Sequence, residues 1–95
     1  MPRVNGYKYN EKRDVWFKIH EEENLATVCG YDELQNGYLP VVTLVDTSGK
    51  SVIKGLIPLM KMDVLDAKSF DTVSSKSDAK NVLRSWMKEN PTFYD

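Results

Sequence analysis

Two runs near the start of the chain, Tyr7-Lys8-Tyr9 and Val15-Trp16-Phe17-Lys18-Ile19, are rich in the aromatic and β-branched residues that favour strands. The polar stretch Asn10-Glu11-Lys12-Arg13 between them suits a turn, so the pattern predicts a first hairpin. After a break at Glu21-Glu22-Glu23-Asn24, the run Leu25-Ala26-Thr27-Val28-Cys29 predicts a third strand, ended by Gly30. Tyr31 to Gln35 reads as one helical turn stopped by Asn36-Gly37, a pair that readily takes positive φ. Leu39 to Asp46 and Ser51 to Leu59 predict a second hairpin around Thr47-Ser48-Gly49-Lys50, with Gly55 and Pro58 marking a bulge or an edge. Val41 to Val45 is apolar at consecutive positions, as expected of a strand covered on both faces.

The pattern over residues 60–72 fits two elements. Met60, Met62 and Val64 alternate as in a strand, whereas Asp63-Val64-Leu65-Asp66 would open a short helix. The last segment fits only one. Ala79, Val82, Leu83, Trp86 and Met87 recur at helical spacing, with Lys80, Arg84 and Lys88 on the other side. Ser75 and Asp78 have the spacing of a capping box, and Asn90-Pro91 supplies the stop. Such a stripe beside strands must be buried on the sheet. The expected fold is therefore α+β, an antiparallel sheet of four to five strands in two hairpins with one C-terminal amphipathic helix packed on it.

Composition narrows this to one small domain over residues 1–95, because two domains would leave each half too short for a core. Cys29 is the only cysteine, so no intramolecular disulfide is available and a reducing compartment is expected. Met1 to Gly6 lacks the apolar run of a signal peptide, and no stretch approaches the roughly 20 apolar residues of a spanning helix. These features predict a cytoplasmic protein with no membrane contact. Lysine outnumbers arginine, and Asn, Asp and Tyr are common, a bias met in small viral or phage reading frames.

The chain offers little for catalysis. His20 and Cys29 would lie on adjacent strands, but Cys29 sits in an apolar run, where cysteine usually acts as a small hydrophobe. Two such residues do not make a zinc site, and the isolated glycines form no phosphate-cradling loop. Asp63, Asp66 and Asp71 would cluster only if their segment were helical, and a solvated face is the simpler reading. Neither an enzyme nor a cofactor is expected.

Charge does change the picture. The total is −1, yet residues 1–20 carry a net +3 and residues 21–35 a net −5. If the first turn holds an even number of residues, Tyr7 and Tyr9 share a face with Trp16 and Lys18, near Arg3, Lys12, Arg13 and His20. That face would stack bases and bind phosphates, or anchor a protein interface. Alternatively, the aromatics pack on one another or under the C-terminal helix.

Gly6, Tyr9, Lys12-Arg13, Trp16 and Gly30-Tyr31 resemble, in order and spacing, the three-stranded sheet of ethylene-response-factor-type DNA-binding domains. Similar sheets occur in phage integrase arms and homing endonucleases. The resemblance implies DNA contacts by Arg13, Trp16 and Lys18. It covers about the first third of the chain. Where the family has a long helix, this sequence has Asp32 to Gly37 and a further hairpin, and its third strand lacks the family's basic residues.

The expected function is a small non-catalytic module that binds a protein partner, as an adaptor, inhibitor or assembly accessory. The second reading is a nucleic-acid-binding sheet using Tyr7, Tyr9, Lys12, Arg13, Trp16, Lys18 and His20. A homodimer, through an open strand edge or the Met60/Met62 segment, is compatible with both.

Overall fold

The computed structural model describes residues 6–46 and 63–91. Five antiparallel strands lie in chain order across one sheet: β1 (Lys8–Asn10), β2 (Val15–His20), β3 (Leu25–Leu34), β4 (Gly37–Asp46) and β5 (Asp63–Ser69). A 3-10 turn at Glu21–Glu23 joins β2 to β3, and the helix α1 (Lys76–Glu89) follows β5. The fold is α+β, with the sheet and the C-terminal helix that the pattern predicts. The second strand of the expected second hairpin (Ser51 to Leu59) and Met60/Met62 lie outside the described residues.

Two expectations around Gly30 are corrected. Gly30 does not end the third strand, and Tyr31 to Gln35 is not a helical turn. β3 runs on to Leu34 and turns back through Gln35 and Asn36 into β4, with Leu34 opposite Gly37. Gly30 is a spacer here: a Cβ at this position would come within 2.9 Å of Val15 Cγ1. Gly37 serves similarly, since a Cβ there would lie 2.5 Å from the Val73 carbonyl oxygen. That close approach is used by Tyr38 and Val73, which exchange two backbone hydrogen bonds of 2.8 Å.

Residues 63–69 settle as a strand, so the helical premise for clustering Asp63, Asp66 and Asp71 does not hold. β5 pairs with β4 through a register shift at Leu44/Val45. α1 begins as its sequence suggests. The Ser75 hydroxyl accepts the Asp78 N–H at 3.1 Å, and the Asn90 side chain donates to the Trp86 carbonyl at the other end.

Strand alternation sends two apolar sets to opposite faces. Tyr7, Trp16, Cys29 and Val42 meet Leu83 and Met87 of α1, with Tyr9, Phe70 and Trp86 at the margin. Phe17, Ala26, Val28 and Val45 form a second cluster with Val15 and Ile19. Each large apolar side chain buried in this way contributes roughly 1.5–3 kcal/mol.

Candidate functional site

The β1–β2 turn, Glu11 to Asp14, holds four residues, so the even-loop register applies and Tyr9 stands opposite Trp16. Tyr7, Tyr9, Trp16, Lys18 and His20 therefore share one face of the sheet. It is the face that α1 covers. Tyr7 is fully buried and Trp16 is 1% exposed. Neither indole nor phenol ring lies open for a base to stack on.

Most of these side chains hold the helix instead. Tyr7 donates its hydroxyl to the Asn90 carbonyl at 3.0 Å and meets Trp86 edge-on. Burial pushes the Tyr7 hydroxyl pKa strongly upward, so this donor keeps its proton. Lys18 donates to the Pro91 carbonyl at 2.7 Å and lies over the Tyr7 ring. His20 is buried and contacts the Thr27 hydroxyl at 2.9 Å. Burial, and secondarily Lys18, lowers its pKa, while Glu23 acts in the opposite direction. Of the seven candidate residues, only Lys12 and Arg13 are exposed.

The structure adds a centre that the sequence reading did not anticipate. Asp14, in the left-handed conformation at φ 56°, accepts hydrogen bonds from the hydroxyls of both Tyr9 and Tyr31. Its carboxylate also pairs with the Lys80 ammonium at 2.7 Å. Burial works to raise the Asp14 pKa, but Lys80, Tyr31 and Tyr9 together outweigh it and hold the value at about 2. Tyr31, donating to that charge, is pushed up to about 12, and Tyr9 and Lys80 are also raised. A general acid or base works best with a pKa near the ambient pH. These groups are driven away from neutrality, each locked in one protonation state. The arrangement is a fastening between turn, sheet and helix.

Cys29 and His20 are not brought together. Cys29 pairs across the sheet with Trp16, four residues from His20 along β2. Burial also raises the Cys29 thiol pKa strongly, which keeps it from the reactive thiolate form. Among the described residues, no group of three or more His, Cys, Asp or Glu side chains could hold a metal ion, and no helix is long and apolar enough to cross a membrane.

Packing of α1 beside β1–β2 assembles a surface from segments some sixty residues apart in the chain. Lys80, Arg84 and Lys88 recur every fourth residue and so rise along one side of the helix. They do not point straight away from the core: Lys80 reaches Asp14, and Arg84 lies 5.4 Å from the Trp16 ring centre. The flank continues into the turn carrying Lys12 and Arg13. Of nine described lysines and arginines, eight belong to β1, the first turn, β2 or α1. Of thirteen described acidic residues, nine lie between Glu21 and Asp71. Helical spacing and the basic turn were both legible beforehand; their juxtaposition needed the packing.

Comparison with protein-family models, with curated proteins and with solved structures finds no match to this chain.

Proposed function

We propose that this chain is a small, single-domain, non-catalytic cytoplasmic module that binds a protein partner through its basic flank, where side chains of α1 reach the β1–β2 turn. The observation that carries the reading is the partition of charge among the described residues, with Lys12 and Arg13 in the first turn, Arg84 and Lys88 on the helix that reaches it, and most of the acids in other elements. The shortest dimension of the molecule is 25 Å. Exposed charges are screened beyond about 8 Å at physiological ionic strength. An approaching partner therefore meets the flank's own positive field and not the chain's net −1. An acidic protein surface complements it, and such complementarity sets orientation and association rate.

Nucleic acid is the second reading, favoured by the same cations. The burial of Tyr7 and Trp16 removes the stacking part of it and leaves phosphate contacts alone.

The test compares wild type with Lys12→Glu/Arg13→Glu and with Lys88→Glu, all at exposed positions. Each is used for affinity capture from host extract treated with nuclease. In parallel, anisotropy is measured with labelled single- and double-stranded oligonucleotides at low and near-physiological salt. The expected result is a protein retained by wild type, lost by both variants, with no oligonucleotide binding. Oligonucleotide binding that falls with salt by about one counterion per phosphate contact, and that both variants lose, would replace the protein reading. Capture unaffected by either variant would reject the flank as the surface.

A further inference from the structure

β5 is the last strand of the sheet, and among the described residues nothing pairs with its outer edge. Every residue from Val64 to Ser69 is exposed, including Val64 at 59% and Leu65 at 54%. A row of open backbone groups beside exposed apolar side chains is a template for adding a strand. The direction of those groups follows from one hydrogen bond. Phe70 donates its N–H to the Pro40 carbonyl at 3.0 Å, toward β4. Alternation along an antiparallel strand then turns the backbone of Lys68 and Asp66 toward β4, and that of Ala67 and Ser69 toward the open edge.

The side chains flanking Ala67 are self-complementary. An antiparallel two-fold with Ala67 opposite Ala67 of a second copy sets Asp66 against Lys68 of that copy, and Lys68 against its Asp66. Both charged pairs fall on one face, and Leu65 comes opposite Ser69. Among the described residues, the Ala67 N–H is held by its neighbour, the Asp66 carboxylate, at 2.8 Å. Both groups are exposed, so exchanging that bond for a backbone carbonyl and a lysine leaves neither without a partner. Registers centred one residue to either side lose this pairing, because Asp66 or Lys68 would face its own copy.

We infer that two copies of this chain associate through β5, antiparallel about Ala67, so that one sheet runs through both. The surface is distinct from the basic flank, and the two assignments stand or fall separately.

The experiment is sedimentation or light scattering over a range of concentrations, on wild type, Asp66→Lys, Lys68→Asp and the double swap Asp66→Lys/Lys68→Asp. Wild type and the double swap should move from one chain mass to two as concentration rises. Each single variant sets like charges opposite each other and should remain monomeric over the same range. A second readout does not rely on charge. In a hydrogen-bonded antiparallel pair the Cα atoms lie about 5.5 Å apart, within disulfide reach. Ala67→Cys should therefore cross-link on mild oxidation, while Ser69→Cys, displaced from the two-fold axis, should not. The inference is overturned if wild type stays monomeric, if the single variants dimerise like wild type, or if Ser69→Cys links as readily as Ala67→Cys.

Discussion

The corner where side chains tie α1 to the first hairpin and the edge formed by β5 use the same residue types to opposite ends. At the corner, Asp14 takes up Lys80 and two tyrosine hydroxyls, Arg84 lies on Trp16, and Lys18 and Tyr7 secure the backbone after the helix. Along β5, Asp66 bonds the next amide in the chain, Lys68 lies over Phe70, and Val64 and Leu65 face water. One region directs polar groups inward to fix a helix on a sheet. The other leaves its groups to solvent. Stability therefore belongs to the corner, and substitutions tolerated on β5 should not be tolerated there.

The widest separation is expected from apolar truncation. Trp16→Ala removes a nearly fully buried side chain from under α1 and should cost about 3–5 kcal/mol. Leu65→Ala, on the exposed strand, should fall within about 0.5 kcal/mol of wild type. Urea titrations followed by tryptophan fluorescence or far-UV circular dichroism measure both. Similar costs at the two sites would mean that the corner is not where the fold is held.

Next in size is Gly37→Ala, at the start of β4. The added Cβ would lie 2.5 Å from a backbone oxygen that cannot move aside without breaking the Tyr38–Val73 bridge. Overpacking of this kind costs about 1–3 kcal/mol. Removing the bridge by moving the Val73 segment away would appear as faster amide exchange at Tyr38 and Val73.

How far these regions could be read beforehand follows from what each residue faces. α1 was legible because Ser75 marks its start and the Ala79–Leu83–Met87 stripe has somewhere to be buried. The first hairpin was legible because its turn is polar and both strands are aromatic, although the covered face depended on loop length. The helical turn expected over Tyr31 to Gln35 does not form because Asp32, Glu33 and Leu34 make an exposed end of β3, where no buried face imposes the alternation that marks a strand. β5 remained ambiguous for the same reason. The Asp14 centre draws its members from the first turn, β3 and α1, and such distant partners meet only through packing.

A smaller effect should sharpen the electrostatic side of the comparison. Asp14→Asn keeps a residue that accepts the left-handed backbone but removes the charge that Lys80, Tyr9 and Tyr31 surround. Because the site is partly open to water, the expected cost near neutral pH is about 1 kcal/mol. The folded Asp14 pKa, at about 2, lies below its ordinary value, so the contribution is present above about pH 4 and is lost as pH falls toward 2. Tyr31 is raised to about 12, so its part is present below about pH 10 and is lost as pH rises past that. The stability difference between wild type and Asp14→Asn should therefore form a plateau with a shoulder at each extreme. A difference that varied steeply between pH 5 and 9 would contradict the fastening described here.

The smallest effect expected is the most selective in pH. His20 lies at the far end of β2 from Asp14, buried against Thr27, and its pKa is lowered mainly by that burial. A histidine whose folded pKa is depressed supports the fold while neutral, above its ordinary value of about 6.5, and the support is lost as pH falls below that. Gln at this position offers an amide to Thr27 but takes up no proton. His20→Gln should therefore change the urea midpoint little at pH 7.5 and flatten its decline between about pH 6.5 and 5. Asp14 and Tyr31 do not titrate in that window, so the slope belongs to His20 and not to the corner. If the variant declined as steeply as wild type, the acid sensitivity would have to arise elsewhere in the chain.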